Sequence, residues 1–177
     1  MSCEILFLRH GKAATPAGVD DFDRPLKPRG ERQAQKVGAW LKANGVDLDA
    51  ALSSPAKRAY DTAVLALDAA GQGSIQPVTD KRLYFDTLRN LLVALAEFDG
   101  KAERLLVVGH NPWMERMVLD LAHGTPAHPG GNWYMKTGAL MHFAVSDFKA
   151  GLGRGQGRLL AHVLPDDLPN DLSHSAP

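Results

Sequence analysis

The sequence predicts an α/β protein, a three-layer α/β/α sandwich whose central sheet is mostly parallel with an antiparallel end. Three observations carry this. Two continuous apolar runs, Ile5-Leu6-Phe7-Leu8 and Leu105-Leu106-Val107-Val108, read as parallel strands covered on both faces. Between such runs lie stretches of helical period, clearest at Leu88, Leu91, Leu92 and Leu95, spaced i, i+3, i+4, i+7. Finally, residues 139–145 and 158–164 are strand-like and separated by a run containing Gly151, Gly153, Gly155 and Gly157, so they can pair as a hairpin. Strands alternating with helices and ending in two consecutive strands define this architecture.

In chain order, the first strand ends abruptly in Arg9-His10-Gly11. Residues 12–28 are rich in Ala, Pro, Gly and Asp, and Asp20-Asp21-Phe22-Asp23-Arg24-Pro25-Leu26 reads as a surface loop. Pro28 suits a first helical position. Ala34, Val37 and Leu41, with Trp40 beside them, predict a helix over 29–44, stopped by Asn44-Gly45. Residues 50–52 form a short second strand. Ser53-Ser54-Pro55 then reads as a cap with proline in the first turn of a helix over 56–70, which carries Arg58 near its start and stops at Gly71 and Gly73. Ile75-Gln76-Pro77-Val78 is a weak third strand, placed near an edge by Pro77. A polar and aromatic connector over 80–86 leads to a third helix over 87–98, ended by Asp99-Gly100. The strand at 105–108 stops at Gly109-His110-Asn111-Pro112, where Asn111 reads as a helix N-cap and Pro112 as the first helical residue. Met114, Met117, Val118 and Leu121 give the fourth helix its apolar face. A Gly-, Pro- and His-rich loop over 123–136 contains Trp133 and Tyr134. These elements make one domain over 1–164, followed by an extended tail over 165–177. No internal repeat is visible.

The bulk composition narrows the functional classes. A chain of 177 residues, 45% hydrophobic and 23% charged, has room for one domain with a real core. Lys plus Arg equals Asp plus Glu, 20 against 20, so no net basic field points to nucleic acid or an anionic membrane. An anionic substrate would need a local cluster. The single cysteine, Cys3, cannot build a disulfide framework and reads as a packed start to the first strand. No apolar stretch approaches a membrane span and no signal peptide is visible, so the cytoplasm is the expected compartment.

Four basic residues occupy equivalent places in this architecture. Arg9 and His10 end the first strand, Arg58 opens the helix after the second, and His110 lies between the fourth strand and its helix. All belong to connections at the carboxyl edge of a parallel sheet, where ligands bind, so they can converge despite their separation in sequence. Arginine offers a planar fork of donors suited to phosphate oxygens. A neutral imidazole is a competent nucleophile, and a second, protonated histidine can donate to a phosphoryl oxygen. Phosphoryl transfer needs mainly positioning and neutralisation of charge, which this set supplies without a cofactor. Metal binding is the competing reading, since His10, His110, His123, His128 and His142 could supply nitrogen. No His-x-x-x-His or Glu-x-x-His pair occurs, and neighbouring arginines repel a cation, so no metal is expected. His123 and His128 read as solvated loop residues and His142 as structural.

At these residues the chain resembles the histidine phosphatase superfamily (phosphoglycerate mutase-like) and, within it, the small SixA-type phosphohistidine phosphatases. The matching pieces are Leu8-Arg9-His10-Gly11-Lys12-Ala13, Asp23-Arg24-Pro25-Leu26 with Arg29-Gly30-Glu31-Arg32-Gln33-Ala34, Gly38-Ala39-Trp40-Leu41, Ser53-Ser54-Pro55-Ala56-Lys57-Arg58-Ala59-Tyr60-Asp61-Thr62, and Val107-Val108-Gly109-His110-Asn111-Pro112. The resemblance runs from about residue 4 to residue 145. The resemblance implies that His10 attacks phosphorus and carries a transient phosphohistidine. Arg9, Arg58 and His110, together with Asn111, would bind the phosphoryl group, and Asp23 and Arg24 would belong to a substrate loop.

Two departures bear on the substrate. Acid-phosphatase relatives have an aspartate proton donor after the second histidine, where this chain has Asn111. Mutase-like relatives take a glutamate from the segment between the second and third helices, where this chain offers Leu83-Tyr84-Phe85-Asp86. Asp86 and Tyr84 are therefore the candidate proton donors. An alkoxide leaving group needs a strong acid, whereas the P–N bond of phosphohistidine breaks readily once its imidazole is protonated. The chain also lacks room for the helical insertion of larger relatives, so an open site would admit a phosphorylated protein such as a histidine phosphotransfer domain. The alternatives are a phosphomonoesterase acting on a small phosphorylated metabolite and a non-catalytic module that binds a phosphorylated ligand. A monomer is expected.

Overall fold

The strand runs and helical stripes assemble in a computed structural model that describes residues 3–84, 87–125 and 135–170. The strands are β1 (Cys3–Arg9), β2 (Ala50–Ser53), β3 (Val78–Thr79), β4 (Arg104–Gly109), β5 (Leu140–Val145) and β6 (Arg158–Val163). The helices are α1 (Pro28–Ala43), α2 (Lys57–Ala69), α3 (Leu88–Ala96) and α4 (Trp113–Ala122). The sheet order is β3-β2-β4-β1-β5-β6. β3, β2, β4 and β1 run parallel, and β5 and β6 add an antiparallel end.

The alternation of side chains along β1 explains the three layers. Ile5 and Phe7 pack with Leu91 and Leu95 of α3 and Met114, Met117 and Val118 of α4. Leu6 and Leu8 face the other way and join Val37 and Leu41 of α1 and Ala59, Ala63 and Ala66 of α2. All four β1 residues are fully buried, which is why the run is apolar without interruption. Cys3 is half-buried against the first of these cores. His142 of β5 is buried and bonded to Glu4 through Nε2 at 2.9 Å, a structural pair as expected. No described helix is long and apolar enough to cross a membrane.

Several expectations need correction. The third strand is only Val78–Thr79, and the predicted part from Ile75 to Pro77 lies outside it. Pro77 has no N–H to give the ladder, and β3 is the edge strand. Asn111 does not cap α4. The helix begins at Trp113, with Pro112 in the cap position and the Asn111–Pro112 bond cis. Ser54 accepts from the Ala56 amide at 3.3 Å, closing the turn before α2 instead of capping the helix. Pro165–Asp167 form a 3-10 turn against α1 where an extended tail was expected: Arg29 pairs with Asp166 at 2.7 Å and Lys36 donates to the Leu168 carbonyl at 2.8 Å. The 123–136 loop falls mostly outside the described residues, including His128, Trp133 and Tyr134, as does the chain from 171.

Candidate active site

The carboxyl ends of β1 and β4 lie side by side, with Arg9 opposite Gly109 in the parallel register. The next residue on each chain is therefore a histidine, and the rings of His10 and His110 stand 5.1 Å apart between centroids. The turn carrying His10 is held from four sides. The His10 amide donates to the Gly109 carbonyl at 3.1 Å. Gly11 N–H donates to Thr62 Oγ1 of α2 at 3.0 Å, and Lys12 N–H to Gln33 Oε1 of α1 at 3.0 Å. Gly138, at a φ of 76°, donates its N–H to the carbonyls of both Arg9 and His10. Only glycines fit where this turn meets α1, because a Cβ on Gly30 would lie 2.3 Å from the Lys12 carbonyl oxygen.

The His10 side chain is oriented by its own turn. Nδ1 lies 2.8 Å from the Gly11 carbonyl, which can only accept, so Nδ1 carries the proton and Nε2 keeps a lone pair. Burial pushes the imidazole pKa down to about 4, and the Arg58, Arg9 and Arg24 charges push the same way, against the Gly11 hydrogen bond. The ring is neutral at physiological pH.

His110 is buried, and its Nε2 sits 2.8 Å from Ser54 Oγ. Burial lowers its pKa to about 3, with His10 and Arg58 acting in the same direction. Without a neighbouring anion the second histidine is neutral, and the protonated form that the sequence reading invokes would need the charge of a phosphoryl group beside it. It can still donate: when the Ser54 hydroxyl gives its proton to Nε2, the imidazole proton resides on Nδ1. That atom is buried without a hydrogen-bond partner among the described residues.

The two arginines are anchored at their outer nitrogens. Arg9 Nη1 donates to the Met135 carbonyl at 2.7 Å, and burial lowers the Arg9 pKa. Arg58 donates through Nη1 to the Asp21 carbonyl oxygen and through Nη2 to Asp21 Oδ2 at 2.9 Å. The Nε atoms of both arginines are buried and lack partners among the described residues. An unmet buried donor costs about 1–3 kcal/mol. Arg9 Nε, Arg58 Nε and His110 Nδ1 therefore form a set of three donors that an anion could satisfy.

Of the remaining candidates, Asn111 differs most from its expected role. Both of its amide hydrogens are committed, to Glu115 Oε2 at 2.8 Å and to the Met135 carbonyl at 3.1 Å. It presents its buried Oδ1, an acceptor, so its side-chain amide has no hydrogen left to donate to phosphate. Tyr84 does reach the pocket, its ring edge-on to His110 with centroids 5.8 Å apart. Its hydroxyl donates to Asp21 Oδ2 at 3.1 Å, and burial and that bond raise its pKa, which weakens it as an acid. Asp86 lies outside the described residues. Arg24 braces its own loop, donating to the Ala14 carbonyl, Asp21 Oδ1 and Thr15 Oγ1. Asp23 is exposed at the end of the same turn. Among the described residues, no three His, Cys, Asp or Glu side chains gather to hold a metal ion.

Sequence reading passed over Asp21, Ser54 and Glu115 as site residues, as well as the Met135 carbonyl. Thr62 and Gln33 carried a signal: Thr62 follows Arg58 by one helical turn, and Gln33 sits in the Arg29–Ala34 segment that matches the family pattern. The contacts made by Asp21 and Met135 bridge distant parts of the chain and have no local signature.

A mostly parallel sheet covered on both faces thus carries at its carboxyl edge a neutral histidine, the buried Arg58 and the half-buried Arg9. Comparison with known proteins is specific on the family. The model of the histidine phosphatase superfamily (branch 1) matches residues 5–84. An uncharacterized protein of Mycobacterium tuberculosis, Rv1276c, is 38% identical over 116 residues, covering 65% of this chain and 70% of that protein. The chain belongs to the histidine phosphatase superfamily. Its fold is also that of SixA: the structure from Nakamurella multipartitia superposes with a TM-score of 0.78 at 24% identity, covering 93% of this chain and 97% of that one. The structure of the protein histidine phosphatase SixA complexed with tungstate gives 0.76 at 22% identity, covering 94% and 99%.

Proposed function

We propose that this phosphatase works through a phosphohistidine on His10 and that its substrate is a protein bearing phosphohistidine. The observation that carries the reading is the set of buried donors on Arg9, Arg58 and His110 that have no partner among the described residues, beside an imidazole whose lone pair is on Nε2. Such donors stabilise charge on a transferring phosphoryl group without reorganising. Nε2 of His10 attacks phosphorus, the Nε2–P bond forms, and the P–N bond to the substrate imidazole breaks. Water then attacks the phosphoenzyme, the Nε2–P bond breaks, and inorganic phosphate leaves with His10 restored.

The acids among the described residues support this substrate class. Asp21 is a carboxyl group beside Arg58, but its bonds to Arg24, Arg58 and Tyr84 hold its pKa down to about 2. It is ionised at neutral pH and has no proton to give. Tyr84 is pushed the other way and is a poorer acid than a free phenol. A leaving imidazole that arrives already protonated needs neither. The fold shared with SixA, and the tungstate held by one SixA structure, support the same reading.

The test compares donors. A phosphohistidine peptide should be turned over with a kcat/KM at least about a hundredfold above that of 4-nitrophenyl phosphate. Equal rates, or a preference for esters, would overturn the substrate reading in favour of a phosphomonoesterase for small metabolites.

A further inference from the structure

We propose that Asp21 is a positioning residue for Arg58: it grips the guanidinium by its outer edge and leaves the inner edge facing the phosphoryl group. This rests on the phosphoryl pocket proposed above. A guanidinium is planar and rigid, with donors on two usable edges. One edge is formed by Nη1 and Nη2, the other by Nε and Nη2. On Arg58, Nη1 and Nη2 both donate to Asp21, to its backbone carbonyl oxygen and to Oδ2. The Nε–H on the other edge is buried and has no partner among the described residues. Fixing two nitrogens of a rigid plane fixes the direction of the third. Asp21 therefore sets where that N–H points.

The alternative is that Asp21 mimics the substrate and competes for Arg58. On the proposed reading a competitor would sit on the Nε edge, whereas Asp21 sits on Nη1 and Nη2 and leaves Nε without a partner among the described residues. Asp21 is also not a mobile surface carboxylate, although it is half exposed. Arg24 Nη1 donates to Oδ1 at 2.9 Å and the Tyr84 hydroxyl to Oδ2 at 3.1 Å. Arg24 is itself tied to the Ala14 carbonyl at 2.8 Å and to Thr15 Oγ1 at 3.1 Å. Phe22 packs edge-on against Tyr84, with centroids 5.2 Å apart. The 3-10 turn Asp21–Asp23 is thus a braced mount on the rim of the pocket, joined to Arg58 across the space between two elements. The lost rotamer freedom of a long arginine, usually a cost of ordering it at the moment of binding, is settled before substrate arrives.

The experiment measures inorganic phosphate binding to the full chain by calorimetry, in four proteins: wild type, Asp21→Ala, Arg58→Lys and the double variant. Asp21→Ala should weaken phosphate binding about tenfold. In the Arg58→Lys background the same change should alter the dissociation constant less than about twofold, because a lysine has no second edge to align. Tighter phosphate binding by Asp21→Ala would show competition and overturn the proposal. An equal loss in both backgrounds would show a merely structural role and also overturn it. If wild type binds no phosphate, the pocket reading itself falls, and this proposal with it. If wild type binds and Asp21→Ala binds equally well, only the role of Asp21 is overturned.

Discussion

At His10 one hydrogen bond and one environment decide the chemistry. The Gly11 carbonyl fixes the tautomer, and burial keeps the ring neutral. The same burial has a consequence for stability. Unfolded histidines titrate near 6.5, whereas His10 and His110 in the fold do so near 4 and 3. Below about 6.5 the unfolded chain binds protons that the folded chain refuses, so stability is present above that pH and lost as pH falls through the window down to about 3. Burial depresses His142 as well, in the same direction. Urea unfolding between pH 7 and 4 should show stability falling steadily on acidification, with a shallower slope in His110→Asn. Constant or rising stability would contradict a buried neutral pair. Bound phosphate reverses the field at both rings, so its binding near pH 5 should be accompanied by proton uptake.

The residues that were legible in the sequence share one property. Arg9, His10, Arg58 and His110 each stand at the end of a recognisable element, so the topology alone places them together. Asp21 contacts Arg58 across 37 positions, partly through a backbone carbonyl that any residue type could supply, and no spacing rule reveals it. Asn111 misled for a related reason. Its side chain has good capping chemistry, but the competing Glu115 carboxylate and Met135 carbonyl hold its amide elsewhere.

Among the elements, the helix–turn junctions control the pocket more than the strands do. β1 and β4 were legible because both are buried on each face and so read as unbroken apolar runs. β3 was not, because two exposed residues at an edge carry little pattern. The His10 turn is pressed onto the start of α1, where Gly11 and Gly30 face each other: a Cβ on Gly11 would lie 2.5 Å from the Gly30 carbonyl oxygen. The obstruction is backbone on both sides, so no side-chain movement relieves it. Gly30→Ala should therefore displace the turn that carries His10 and disturb the Gln33–Lys12 bond. The expected cost is about 1–3 kcal/mol of stability by denaturant unfolding, with at least a tenfold loss of kcat/KM. Ala39→Gly, on the same helix and away from this contact, serves as the control for helix propensity, at about 1 kcal/mol. Wild-type activity in Gly30→Ala would show that the turn tolerates the shift.

For the whole molecule, the order of elements carried most of the information. Four strand–helix units put their connections at one edge, and that edge holds the pocket. The hairpin of β5 and β6 closes the sheet beside β1, and the Gly138 turn before it reaches back to the His10 backbone. The turn Pro165–Asp167 packs on α1 through Arg29 and Lys36, an attachment hidden in a polar sequence that reads locally as surface. The central claim is a phosphohistidine on His10, and a rapid-quench experiment tests it most directly. The full chain is mixed with a phosphohistidine peptide, quenched in alkali within one turnover, and the phosphate is located by mass spectrometry. The account predicts acid-labile phosphate on His10, with none on His10→Ala and turnover in that variant reduced at least about a thousandfold. Phosphate on another residue, or undiminished turnover by His10→Ala, would contradict it.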